Sequence, residues 1–115
     1  MERISKDAAT VLHALYSQYQ SRRKVGQPKY EAIFFNSVQN IHDDLCPEML
    51  VEDVDEAMRE LDRVGYLEND YGEMTILECR LTDTAIVDCE NAVESCIAKQ
   101  ESNAEKFIDA YLNQN

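Results

Sequence analysis

Residues 51–84, VEDVDEAMRELDRVGYLENDYGEMTILECRLTDT, leave few choices of local structure. Val54, Ala57, Met58, Leu61 and Val64 recur at helical spacing, which predicts an amphipathic helix over about residues 52–64. Gly65 then fits the left-handed C′ position, which other residues reach only at a steric cost. Two short strands, residues 66–69 and 74–81, are expected to pair around Asp70-Tyr71-Gly72-Glu73. Alternation places Thr75, Leu77, Cys79 and Leu81 on one face of the second strand, opposite Met74, Ile76, Glu78 and Arg80. Thr82 caps a final helix.

The first half reads as helices joined by short breaks. Ser5 is the N-cap of a helix with Ala8, Leu12, Leu15, Tyr16 and Tyr19 on one stripe. Asp7 in its first turn and Arg22, Arg23 and Lys24 in its last suit the helix dipole. Gly26 and Pro28 mark a loop at residues 25–29. Residues 30–35 are expected to form a short helix begun by Pro28, burying Ile33 and one of Phe34 and Phe35. Ser37 caps another helix to about Leu45, with Val38, Ile41 and Leu45 inward, and Cys46-Pro47 ends it. The final helix carries Ile86, Cys89, Val93, Cys96 and Ile97, then Phe107, Ile108, Tyr111 and Leu112. Ser102 and Glu105 have capping-box spacing, so a break and restart is expected in the polar stretch 99–103.

At 115 residues, with 44% apolar and 30% charged residues, the chain suits a folded globular domain. We divide it into a domain over residues 1–83 and a helical extension over residues 84–115, packed on the domain or used for dimerisation. No apolar run approaches the roughly 18 residues of a membrane span, and the N-terminus lacks the apolar core of a secretory signal. A cytoplasmic location without membrane contact is expected. Cys46, Cys79, Cys89 and Cys96 show no CxxC pairing and are expected to be reduced. Net charge is −12, unevenly spread: residues 1–30 carry +4 and residues 31–115 carry −16. Polyanions should be repelled by most of the surface, and any attraction should be local.

The order helix, short helix, helix, helix, strand, strand, helix resembles a winged helix-turn-helix domain, a mainly α fold with a small β-hairpin. The likeness is strongest at Glu60-Leu61-Asp62-Arg63-Val64-Gly65-Tyr66-Leu67, where Gly stops the recognition helix and Tyr-Leu opens the wing, and at Leu81-Thr82-Asp83. The chain is also similar to small winged-helix proteins met in prophages of low-GC Gram-positive bacteria. In DNA-binding members the third helix presents basic or amide side chains to the major groove. Here it carries Glu52, Asp53, Asp55, Glu56, Glu60 and Asp62 against Arg59 and Arg63, and the wing adds Asp70 and Glu73 with no base at its tip. Each close like-charge contact with a phosphate costs about 1 kcal/mol in water and about 4 kcal/mol at an effective dielectric of 20.

Three functional readings follow, the weakest being a dimeric adaptor whose C-terminal helix does the work. The favoured one is a protein partner of basic character bound through Glu52, Asp53, Asp55, Glu56, Glu60, Asp70 and Glu73, as when a protein imitates DNA. The bland counterpart is an acidic helix face that only keeps the chain soluble. The alternative is an atypical transcriptional regulator that meets DNA phosphates with Arg22, Arg23, Lys24 and Lys29 and bases with Arg59 and Arg63. Phe107, Ile108, Tyr111 and Leu112 either fold back or pair two copies, and a homodimer is slightly favoured. His42 with Cys46 is half of a metal-ligand pattern and no more, so no metal or other cofactor is expected. No GxSxG, Walker A, GxGxxG or HExxH motif occurs, and a non-enzymatic role is expected.

Overall fold

The computed structural model describes the backbone of residues 3–98 and the side-chain surroundings of residues 3–92. The elements are α1 (Lys6–Lys24), α2 (Lys29–Ala32), β1 (Phe34–Phe35), α3 (Val38–Leu45), α4 (Val51–Arg63), β2 (Leu67–Tyr71), β3 (Ile76–Leu81) and α5 (Asp83–Ala98). The described chain is mainly helical, with a three-stranded antiparallel sheet in the order β1-β3-β2.

Side-chain oxygens set three helix starts. Ser5 Oγ accepts from the Ala8 N–H (3.1 Å), Ser37 Oγ from Asn40 (3.3 Å) and Thr82 Oγ1 from Ala85 (3.1 Å). Each satisfies a donor that the first helical turn leaves without a partner. Helix α1 then buries Ala8, Val11, Leu12, Leu15, Tyr16 and Tyr19, and α4 buries Val54, Ala57, Met58 and Leu61. Ala85, Ile86, Cys89 and Ala92 of α5 enter the same core, together with Leu67, Ile76, Cys79 and Leu81 of the sheet. The first part of α5 thus shares a core with residues 1–83. Phe107, Ile108, Tyr111 and Leu112 lie outside the described residues, as does the expected break near Ser102.

Helix α4 ends as its glycine requires. Gly65 has φ +86°, its N–H donates to the Asp62 carbonyl (3.1 Å), and the Tyr66 N–H donates to the Leu61 carbonyl (2.8 Å). This paired closure satisfies two of the four terminal carbonyls. Thr82 Oγ1 donates to the Gly65 carbonyl at 2.6 Å, so the stop of α4 and the start of α5 are one structure.

Two local expectations are corrected. Residues 30–35 are not one helix: α2 stops after Ala32, and Phe34 and Phe35 run extended as β1, opposite Arg80 and Cys79 of β3. A single helical turn is a weak competitor, whereas successive aromatics suit a pleated surface. The Leu81 N–H donates to the Ile33 carbonyl (3.0 Å), which extends the pairing. The inner face of β3 is also not a plain alternation. The register runs Leu67–Leu81, Glu68–Arg80, Asn69–Cys79 and Asp70–Glu78, then skips Leu77 to join Tyr71 with Ile76. The extra residue is a β-bulge, and one added residue exchanges the two faces beyond it. Ile76 is therefore fully buried beside Cys79 and Leu81, while Leu77 is 56% exposed. A Cβ at Gly72 would lie 2.9 Å from the Leu77 side chain, so glycine leaves room for the bulged leucine.

Nothing lies within 4 Å of a Cβ built on Gly65, so Gly65→Ala meets a backbone penalty alone. It should lower the free energy of unfolding by about 1–2 kcal/mol. A urea midpoint equal to that of the parent chain would contradict the left-handed stop.

Candidate functional site

Because Val54, Ala57, Met58 and Leu61 face inward, α4 turns the ridge Glu52, Glu56, Arg59 and Arg63 outward. Its other acids lie on two flanks with separate partners. On one flank Glu60 accepts from both the Ser5 N–H and the Ser5 hydroxyl, each at 2.7 Å. Ser5 thus caps α1 while its own polar atoms are held by α4. Asp53 lies on that side, and with Ser5, Asp7, Glu60 and the ridge residues Glu56 and Arg63 it lines a groove of about 250 Å³.

The other flank faces the β2–β3 hairpin. Tyr71 donates its hydroxyl to Asp62 at 2.6 Å, and the Arg59 guanidinium lies 5.2 Å from the Tyr71 ring centroid. Arg59 is itself fixed by Asp55, one turn back, at 3.0 Å. Burial, and then the Asp62 carboxylate, push the Tyr71 hydroxyl above its ordinary value, so it stays a donor. Asn69 adds a bond from Nδ2 to the Met58 carbonyl at 3.0 Å. Behind the hairpin, fully buried Tyr66 donates to Asp88 of α5 at 2.6 Å. Asp70 and Glu73 are exposed on the hairpin, as is Glu52 on α4. Arg80 lies 4.0 Å from Glu68 and 3.8 Å from Asp70, across the strands.

The basic cluster does not form a cationic row. Arg22 turns inward: Nη1 donates to the carbonyls of Phe34 (2.6 Å) and Ala32 (3.2 Å), and its guanidinium lies 4.5 Å from the Phe35 ring centroid. Burial lowers its pKa from the usual guanidinium value. Arg22 is thus the clasp that holds β1 against α1, a role hidden while residues 30–35 read as helix. Arg23 donates to the Gln27 carbonyl of its own loop at 3.0 Å. Lys29 pairs with Asp83 at the start of α5 (2.6 Å), and that hydrogen bond raises its pKa. Lys24 is exposed, and so is Arg63, far along the chain on α4.

His42 and Cys46 do not converge on a metal position. His42 Nδ1 faces Asp43 and Nε2 faces the Met49 carbonyl, both at 2.8 Å, so the ring braces the α3–α4 turn. Hydrogen bonds from His42 and then Gln39 lower the Asp43 pKa. Among the described residues no three His, Cys, Asp or Glu side chains are grouped to hold a metal ion. Cys46, Cys79 and Cys89 are free and buried. Desolvation raises the Cys46 thiol to about 11 and Cys79 to about 12, with Cys89 shifted the same way.

Sequence reading missed three features here: the Ser5–Glu60 tie, the Tyr71–Asp62 tie and the exposure of Leu77. The first two join residues far apart along the chain, and the third follows from the bulge.

No family model matches the chain, and no curated protein matches it. A solved structure, AF1382 from Archaeoglobus fulgidus, is similar with a TM-score of 0.51 at 17% identity, covering 82% of this chain and 90% of that one. At that identity the likeness bears on fold alone. Among the described residues no helix is long and apolar enough to cross a membrane.

Two outcomes test these placements. Arg22→Ala should lower stability by about 2 kcal/mol through lost charge-assisted bonds, while Arg23→Ala and Lys24→Ala stay within about 0.5 kcal/mol of the parent. Equal effects at the three positions, in urea unfolding, would contradict the inward clasp. The second outcome concerns alkali. The Cys46 and Cys79 thiols and the Tyr16 hydroxyl, raised to about 12, titrate higher folded than unfolded. Their contribution is therefore whole below the unfolded thiol pKa of roughly 8.5 and falls as pH rises above it. The urea midpoint should drop between neutral pH and pH of about 10, and a flat profile would refute the burial of these groups.

Proposed function

We propose that the chain is a non-enzymatic winged-helix interaction protein that binds a basic protein partner through the outer side of α4 and the β2–β3 wing. The winged-helix reading is supported by the element order and by the sheet order β1-β3-β2, with the hairpin beside the third long helix. The observation that carries the functional reading is charge. From Val38 to Leu81 there are thirteen Asp and Glu residues, three arginines and no lysine. Arg59 is engaged by Asp55 and Tyr71, Arg80 lies between two carboxylates, and Arg63 shares a groove with Asp7, Asp53, Glu56 and Glu60.

Such a surface repels a phosphate backbone, since duplex affinity comes largely from counterions released by Lys and Arg contacts. The DNA alternative also loses Arg22 to the β1 clasp and finds Lys29 paired with Asp83. A cationic protein surface meets the same carboxylates favourably, with the gain chiefly in association rate and specificity. Glu52, Asp53 and Glu56 are the residues to alter, because Glu60, Asp55 and Asp62 carry internal bonds.

The combined change Glu52→Lys, Asp53→Lys and Glu56→Lys should abolish capture of a basic partner from a cell lysate, while Glu90→Lys, a single charge reversal on α5 away from this surface, should leave capture intact. Capture that survives in the folded triple variant, or tight duplex binding by the parent chain at about 50 mM salt, would overturn the reading.

A further inference from the structure

The tip of the β2–β3 hairpin holds three large apolar side chains that the core does not take. Tyr71 is 49% exposed, Leu77 56% and Met74 97%. Leu77 is directed there by the bulge and lies over Gly72. Met74 sits at the apex with φ +61°, the left-handed region that an unbranched residue other than glycine, asparagine or aspartate seldom occupies. The Gly72 N–H donates to the Thr75 carbonyl at 2.8 Å and closes the turn beneath it. Strained backbone that displays an apolar side chain almost wholly to solvent gains nothing from internal packing. Such outliers cluster where a ligand is met, and methionine is a side chain suited to adaptable contact surfaces.

The surroundings name the occupant. Asp70, Glu73 and Glu78 border the tip, and Arg80, farther down the hairpin, lies 3.8 Å from Asp70. An apolar point in a negative frame complements an apolar side chain flanked by lysine or arginine. The same frame is repelled by the anionic surface of a bilayer, and a second copy of a chain with net charge −12 meets like charge.

We propose that the hairpin tip, at Met74 and Leu77, is the apolar anchor point for a basic segment of the partner protein, which seats an apolar side chain there while its cations meet the surrounding carboxylates. This rests on the acidic-surface reading above and adds the chemistry of the partner's contact segment.

The test uses the full chain and a synthetic amphipathic peptide of lysine and leucine, with an analogue carrying serine for every leucine. Vesicles of zwitterionic lipid and of lipid containing phosphatidylserine complete the set. Met74→Gly is the decisive variant, because glycine accepts the left-handed backbone: it should unfold at higher urea than the parent and yet bind the lysine-leucine peptide about tenfold more weakly. Leu77→Ser should weaken binding in the same direction, and the lysine-serine peptide should bind the parent no better than the leucine peptide binds Met74→Gly. Undiminished binding by Met74→Gly, equal binding of the two peptides, or preferential partition onto phosphatidylserine vesicles would each overturn the proposal. The two claims separate cleanly. If reversal at Glu52, Asp53 and Glu56 weakens the peptide and Met74→Gly does not, the anchor falls and the acidic surface stands. If Met74→Gly weakens it and the reversal does not, the acidic surface of α4 falls.

Discussion

Glu60 and Asp62, two residues apart on α4, determine how the rest of the molecule is arranged around that helix. The first takes both polar groups of Ser5 and so fixes the start of α1. The second takes the Tyr71 hydroxyl and so fixes the hairpin. Between these two ties the apolar face of α4 is packed into the core, leaving a single ridge free. Neither carboxylate is deeply buried, so each contributes modestly to stability. They tie α4 to α1 on one side and to the hairpin on the other, at the edges of the core that these elements share.

That division changes the meaning of the acidic helix. Six carboxylates in one short stretch look like a uniform negative face, but three of them, Asp55, Glu60 and Asp62, have bonding partners within the fold. The outward ridge runs from Glu52 and Glu56 to Arg59 and Arg63, two acids followed by two bases, and the excess negative charge comes from Asp53, α3 and the hairpin. The negative field is thus spread over a broad side of the molecule. Of the cations nearest in sequence that would offset it, Arg22 is turned inward and Lys29 is paired, while Arg23 and Lys24 stay exposed at the end of α1.

Features written in neighbouring residues are legible in the amino-acid sequence alone. Ser5, Ser37 and Thr82 each act three residues ahead, Gly65 stops its own helix, and the stripes of α1, α3 and α4 repeat at helical spacing. What sequence does not disclose depends on residues distant along the chain. Phe34 and Phe35 become a strand because β3 is there to pair with them, and Arg22 becomes a clasp because that strand presents its carbonyls. A single skipped pairing at Leu77 exchanges the faces of the hairpin end, an event that apolar alternation cannot foretell. Of the candidate surface, the identity of the acids is legible and their internal engagements are not. The exposure of Leu77 at the hairpin end follows only from the position of the bulge.

The most direct measurement is a backbone amide titration of the isotope-labelled chain with the lysine-leucine peptide, followed residue by residue. Shifts should concentrate at Glu52, Asp53, Glu56 and Arg63 on α4 and at residues 70–77 of the hairpin, and should shrink as salt is raised. Shifts centred on Arg23, Lys24 and Lys29, or spread evenly over the surface, would contradict the account.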